Sequence, residues 1–453
     1  MQFKWKLVAL TGLMLQLLTY ANAQQPAVSS ETLRFSVTDA VEYAKKNQYA
    51  VKTAQLAELQ QIAKNKEVSG LALPQVSAAG LYQDNPIIQK QLIDASNFDP
   101  NVPKGTLVPF AFGLKYNASG DVNVNQTLFD PSVLVALQAR ETLELLARQG
   151  VAKSEIDVKA EVYKAYYNVV ASDKALAILN ENIARTRKTL DETREIYKNG
   201  LVEKLDVDRL VVQLNNALAE QVRIQNLRQV GLAMLKYRIG LPIKQPLELT
   251  DTLSNEALKA DIQDAGQFNY TNRIEYQLMQ SQKRANEYNL KRYRLAALPS
   301  LNAFGKVGAS RQTNSFDFFQ SQMWYGYVSW GLNLQVPIFS GMQRRRQVDQ
   351  AMLVVKQSEL DIEDLKNNID LDQINSTTTL RNNIKTLENM EENMALAKDV
   401  YETTMIKYRE GVGSSLEVIT AESQLLTAQN NYFNALYNVI VSRVDYMKAY
   451  GKL

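Results

Sequence analysis

No cysteine and no histidine occur anywhere in the 453-residue chain. The first absence removes disulfides, thiolate nucleophiles, Cys-ligated zinc and an acylated cysteine anchor. The second removes the commonest general base and the commonest metal ligand. Charge of one sign is also missing. Lys plus Arg number 51 and Asp plus Glu 48, a formal +3, so no global field favours nucleic acid. There is no Walker-type or GxGxxG phosphate loop and no zinc-peptidase helix motif. What remains for an enzyme is carboxylate-only or Ser/Lys chemistry, a poor start, and nothing implies a cofactor or a resident metal.

Long apolar runs are confined to the beginning. Lys4 and Lys6 precede Leu7 to Leu18, and Ala21-Asn-Ala23 fits the small-x-small cleavage rule. A membrane-spanning helix needs about 20 apolar residues, and this run is shorter. Residues 1–23 therefore read as a cleaved export signal, and losing its two lysines lowers the formal charge from +3 to +1.

What is present is present twice. Leu71-Ala-Leu-Pro74-Gln-Val-Ser-Ala-Ala-Gly80 returns as Ala296-Ala-Leu-Pro299-Ser-Leu-Asn-Ala-Phe-Gly305. Val122-Asn-Val-Asn-Gln-Thr-Leu-Phe129 returns as Leu332-Asn-Leu-Gln-Val-Pro-Ile-Phe339. Tyr197-Lys-Asn-Gly200-Leu-Val-Glu-Lys-Leu205-Asp-Val207 returns as Tyr408-Arg-Glu-Gly411-Val-Gly-Ser-Ser-Leu416-Glu-Val418. Solenoid units repeat every 20–50 residues or so; this spacing is far longer and marks duplication of a whole half-protein. The boundaries read 24–240 for the first repeat, 241–271 for a linker or equatorial region, and 272–453 for the second repeat.

Breakers are scarce inside each copy. Between Pro131 and Asn199 stands one glycine, Gly150, and no proline; between Met342 and Glu410 there is neither. Uninterrupted helices of that length would run about 100 Å at 1.5 Å per residue, far beyond the globular norm. Val418, Ala421, Leu425, Ala428, Tyr432, Ala435 and Val439 step 3,4,3,4,3,4, a coiled-coil seam. Val207, Leu210, Leu214 and Ala217 begin the same register in the first copy and then meet Gln221.

A second period sits beside the helical one. Phe112, Leu114, Tyr116, Ala118, Val122 and Val124 alternate with Lys115, Asn117, Ser119, Asp121, Asn123 and Asn125. Trp324, Val328, Trp330, Leu332, Leu334 and Val336 alternate with Tyr325, Tyr327, Ser329, Asn333 and Gln335. Such alternation predicts half-polar strands, long enough for the roughly 9–11 residues of a tilted membrane strand. The predicted pairs cover 74–84 with 111–129 and 299–311 with 323–339. Four strands cannot close a transmembrane barrel, and an open edge is not tolerated in lipid. If these strands lie in a membrane, chains must associate, and three would supply twelve strands. Residues 84–109, with Pro86, Pro100 and Pro103, read as a loop outside the membrane; 241–271 reads as a collar with short acidic-apolar pieces such as Ala257 to Ala265.

With these elements in order, the chain resembles the TolC-type outer-membrane channel family. The matching pieces are Leu73-Pro74 and Leu298-Pro299 opening strands, and Pro337-Ile-Phe339-Ser-Gly341-Met-Gln-Arg344-Arg345 closing one. Leu128-Phe129-Asp130 and the two Tyr-x-x-Gly tips complete the set. The resemblance implies an α+β membrane protein: four strands per chain in a trimeric twelve-strand outer-membrane barrel, continued by a coiled-coil periplasmic barrel. It implies a passive exit duct of a tripartite efflux or type I secretion system in a Gram-negative outer membrane. The implied partners are two more copies of the chain, a periplasmic adaptor, an inner-membrane pump and outer-membrane lipid, with no nucleic acid.

Residue by residue, glycine at 200 and 411 suits the left-handed turn that ends a helix. The resemblance gives Gly200, Leu201, Val202, Gly411, Val412 and Gly413 the role of adaptor-docking tips. It matches Asp206 and Tyr408 to the family's closed gate and Glu417 to its acidic mouth. An arginine usual in that gate is here Gly413, and a second acid is Thr420. Trp324, Trp330, Arg344 and Arg345 read as membrane-interface residues. The alternative, a non-conducting exported coiled-coil adaptor or scaffold, predicts no barrel and leaves the alternating strands without a role. The cargo has no visible signature: there is no His or Cys relay, the methionines are scattered, and a duct need not bind what it passes.

Overall fold

A computed structural model describes residues 32–98, 100–252, 268–316 and 324–453. The predicted export signal and the piece from Ala257 to Ala265 lie outside the described residues. The chain runs β1 (Leu33–Phe35), α1 (Val37–Asn47), α2 (Tyr49–Gly70), β2 (Gln75–Asp84), β3 (Lys90–Asp94) and β4 (Leu107–Ala111). It continues with β5 (Tyr116–Phe129), α3 (Pro131–Lys198), α4 (Lys204–Ile239) and β6 (Leu247–Leu249). The second copy supplies α5 (Ile274–Leu295), β7 (Ser300–Thr313), β8 (Tyr325–Gln335), α6 (Gln343–Arg409) and α7 (Ser415–Ala449). The duplication is preserved in length: α3 and α4 have 68 and 36 residues, α6 and α7 have 67 and 35. Pro131 opens α3, where its missing N–H is no loss, and Asp130 accepts from the Ser132 amide at 2.8 Å.

Packing divides the chain into two compact units, and each draws on both repeats: residues up to 53, 153–273 and 369–453 in one, 54–152 and 274–368 in the other. The first is helical with a small parallel pair, β1 on β6. Its largest core joins Val158, Val162, Tyr166 and Val169 of α3 with Leu235 and Ile239 of α4, Val41 and Ala44 of α1, and Leu247 of β6. Tyr166 is fully buried, donates to the Phe35 carbonyl at 3.0 Å and accepts from the Asp251 amide at 3.3 Å. Burial pushes its phenol up to about 12, so it stays a donor. A second core packs Leu380 and Leu387 of α6 against Tyr432, Ala435, Leu436 and Val439 of α7. The 3,4 seam read on α7 is the buried edge: Val418, Leu425 and Val439 are each at most 2% exposed.

Gly240 fixes the turn out of α4. It holds φ at +75°, and a Cβ there would sit 2.6 Å from the Asn47 carbonyl oxygen. Gly240→Ala is expected to destabilise this unit by about 2–4 kcal/mol, left-handed strain plus a backbone clash. A lowered thermal midpoint checks it; an unchanged one refutes it.

The second unit holds a four-stranded antiparallel sheet in the order β2-β5-β7-β8. Its register places Ala78, Val122, Val307 and Val328 in one rung and Val76, Val124, Gly305 and Trp330 in the next on the same face. The opposite face carries Ser77, Asn123, Lys306 and Ser329, then Ala79, Asp121, Gly308 and Tyr327. Asp121 accepts from Lys306 at 3.3 Å and Asn123 at 2.6 Å, and no cation of that row stands opposite another. Rings cover the glycines of the polar face: a Cβ at 331 would meet Phe304 at 3.0 Å and one at 308 would meet Tyr327 at 2.9 Å.

Two strand limits are corrected. The strand expected over 111–129 starts at Tyr116, because Gly113 turns at φ +126°. The one expected over 323–339 ends at Gln335, two residues before Pro337, which cannot donate to a ladder. The segment 84–109 is not all loop. β3 pairs with β4, with Pro109 opposite Leu92 in a two-stranded ribbon whose edges tolerate proline.

Candidate functional site at the helical tips

Four helix ends meet two short turns in the helical unit, α3 to α4 through Gly200 and α6 to α7 through Gly411. Both glycines are left-handed, φ +74° and +76°. The Leu201 amide returns to the Ile196 carbonyl at 3.2 Å and the Val412 amide to Lys407 at 3.0 Å, the six-to-one bond of a glycine-terminated helix. Each turn then presents one bare apolar side chain: Leu201 is 77% exposed and Val412 is 79% exposed. Val202 is half-buried. Each turn thus sets one exposed apolar side chain beside a left-handed glycine.

Gly413 is placed differently. A Cβ there would sit 3.1 Å from the Tyr408 amide nitrogen and 3.2 Å from the Lys407 carbonyl carbon, so the residue is tucked against the end of α6. A long cation in its place would have to shift that helix end.

Asp206 and Tyr408 are not hydrogen-bonded to each other; each crosses from one hairpin to the other by its own route. Asp206 on α4 accepts from the Ser415 hydroxyl at the start of α7. It also receives the Glu203 amide at 3.3 Å and lies 3.8 Å from Arg209. Tyr408 on α6 meets Thr193 Oγ1 on α3 at 3.1 Å. Since the Thr193 hydroxyl already donates to the Thr189 carbonyl at 2.8 Å, Tyr408 is the donor. Glu417 is exposed, and its amide donates to Ser414 Oγ at 3.3 Å to cap α7. Thr420 turns its hydroxyl back onto the Leu416 carbonyl at 2.7 Å and offers no charge.

Further contacts extend this ladder along the hairpins. Glu422 of α7 joins Thr186 and Gln213, and Asn182 donates to Gln429 at 3.1 Å. Asn182, Thr186, Thr189 and Thr193 follow 4,3,4 spacing on α3 and are all at most 4% exposed. That polar register was available in the sequence, but a search for apolar seams passes over it. Ser415 has no local signal at all; only the fold brings it to Asp206.

The interface candidates separate as well. Trp324 precedes β8, whereas Trp330 lies at mid-strand and is 84% exposed. Arg344 donates to the Pro337 carbonyl at 3.2 Å and pins the turn after β8; Arg345 is exposed. Among the described residues no helix is long and apolar enough to cross a membrane, and no carboxylate cluster is arranged for a metal.

The outer membrane efflux protein family model matches residues 111–241 and 271–452. The outer membrane protein TolC of Vibrio cholerae is 24% identical over 340 residues, covering 74% of this chain and 77% of that protein. The alkaline protease secretion protein AprF of Pseudomonas aeruginosa is 21% identical, covering 73% and 68%. The Campylobacter jejuni CmeC outer membrane channel superposes with a TM-score of 0.73 at 16% identity, covering 92% of this chain and 85% of that one.

Proposed function

This chain belongs to the outer membrane efflux protein family, and we propose that three copies close one barrel and serve as a passive exit duct from periplasm to exterior. One observation carries the reading. Among the described residues the sheet ends in two unpaired edges, β2 and β8, and shows an apolar face whose Val328, Trp330, Leu332 and Leu334 are 62–84% exposed. A sheet with a bare apolar face and open edges is unstable in water and in lipid alike until neighbours complete it. Joining β8 of one chain to β2 of the next removes every edge, and three chains give twelve strands, within the range of single-pore barrels. The polar row of Asp121, Asn123, Lys306 and Ser329 then faces the lumen. The apolar tips dock a periplasmic adaptor that connects the duct to an inner-membrane pump, and the duct does no chemistry of its own. Relatives named for protease secretion and for antibiotic efflux support either use.

Oligomer mass and conductance of the purified protein in lipid bilayers test this. A trimer that inserts and passes ions in small, mostly closed events is expected; a monomer that never inserts refutes it.

The two crossing bonds of the tips are the proposed latch. Asp206→Ala with Tyr408→Phe deletes both, at about 1 kcal/mol each. The open fraction should rise roughly tenfold or more, read as conductance and as uptake of large antibiotics. Unchanged values would place the gate elsewhere.

A further inference from the structure

Glu422 flanks the apolar seam of α7. It stands between Ala421 and Leu425, is 1% exposed, and reaches both helices of the other hairpin. Its Oε1 lies 2.5 Å from Thr186 Oγ1 on α3, and its Oε2 accepts from Gln213 Nε2 on α4 at 2.8 Å. Among the described residues no Lys or Arg nitrogen forms an ion pair with it. Arg185 on α3 acts on it only at longer range, lying 5.8 Å over the Tyr401 ring of α6. Tyr401 is the titratable group facing it from α6, and α4 offers only the neutral Gln213.

The hydrogen inventory favours a protonated carboxyl. Thr186 has one hydroxyl proton and two acceptors, the Asn182 carbonyl at 2.9 Å and Glu422 at 2.5 Å. With a proton on Oε1, Glu422 donates to Thr186, Thr186 donates to Asn182, and Gln213 still meets Oε2, so every contact is filled. An ionised carboxylate has only two neutral donors, one of them shared, to replace its water. Burial accordingly pushes this carboxyl up. The chain has no histidine, and Glu422 is the one carboxyl moved upward among the described residues.

We propose that Glu422 is a proton-operated staple between the two helical hairpins. Protonated, it holds α7 against α3 and α4 and keeps the tips together; ionised, it lets them part. A group whose proton affinity rises on packing stabilises the packed state fully at acid pH and loses that contribution as pH climbs through its packed-state value. The staple therefore favours a shut constriction in acid and release as pH climbs through the packed-state value. Its effect on conductance rests on the duct reading; its effect on packing does not.

Two readouts on the purified full chain separate these. Amide exchange over residues 182–193 and 418–429, corrected for base catalysis, should accelerate with pH by up to about tenfold per unit in wild type. Glu422→Gln, which keeps the shape and both contacts without a charge, should stay protected and flat. Bilayer open probability should follow the same two profiles. Identical pH profiles for wild type and Glu422→Gln, or a flat wild type, overturn the staple. Exchange that behaves as expected beside a protein that never conducts upholds the staple and refutes the duct. Should Glu422→Gln fail to assemble, Thr186→Val decides: loss of the hydroxyl donor should move the exchange midpoint upward, and an unmoved midpoint overturns the proposal.

Discussion

Gly200→Trp combined with Gly411→Trp is expected to abolish export while the chains still assemble. Nothing lies within 4 Å of a Cβ at either position, so the new side chains meet no backbone. The folding cost is the left-handed strain of an L residue, about 1–2 kcal/mol at each tip. Both tips lie outside the buried clusters of the helical unit, which begin at Met405 and Val418 on the second hairpin and at Ile183 and Ala217 on the first. What changes is the surface beside Leu201 and Val412, which are 77% and 79% exposed. An adaptor that fits those knobs meets two indoles instead, and losing a central anchor typically costs 2 kcal/mol or more per contact. Two such losses per chain weaken docking by roughly a thousandfold. Survival on an exported antibiotic and cross-linking to the adaptor should both collapse, with heat-modifiable trimer retained. Gly200→Ala with Gly411→Ala is the control: it carries the same strain without the bulk and should retain most export. Normal export by the tryptophan pair would remove the tips from docking.

Much of the fold was written in periodicities that the tertiary structure did not have to override. The absence of proline over two long stretches became α3 and α6, and the repeated Tyr-x-x-Gly became two left-handed turns of nearly equal φ. Alternation at 122–124 and at 328–334 gave both faces of the sheet. The β3–β4 ribbon was missed because Pro86, Pro100 and Pro103 around it read as breakers, and because an edge strand tolerates Pro109. The site was less legible. Its turns are local and were visible, but its crossings pair residues more than 200 positions apart, such as Asp206 with Ser415 and Thr193 with Tyr408. No local pattern encodes which hydroxyl will meet which carboxylate. Glu422 was hidden for another reason: a heptad search scores the apolar seam positions, and an acid beside the seam reads as a solvated charge.

Trp330→Arg is expected to stop assembly altogether. Trp330 stands at the middle of β8, in one rung with Gly305, Val124 and Val76, and is 84% exposed on a face whose central rungs are apolar. If that face meets lipid, an arginine there lies near the bilayer midplane, where it costs about 2–4 kcal/mol in a barrel. Threefold closure repeats the cost in every chain, roughly 6–12 kcal/mol per barrel, comparable with the whole stability of a domain. The trimer band and the outer-membrane fraction should vanish together. Ser329→Glu is the matched test on the adjacent residue. It points to the opposite face, directly across from Lys306, and gains an opposite-charge neighbour. That variant should assemble normally and alter only ion selectivity. If instead Ser329→Glu fails and Trp330→Arg assembles, the two faces have been assigned the wrong way round, and Lys306 and Asp121 belong to a buried interface, not a lumen. If both assemble, the sheet is not in a membrane, and closure of its edges must be sought in water.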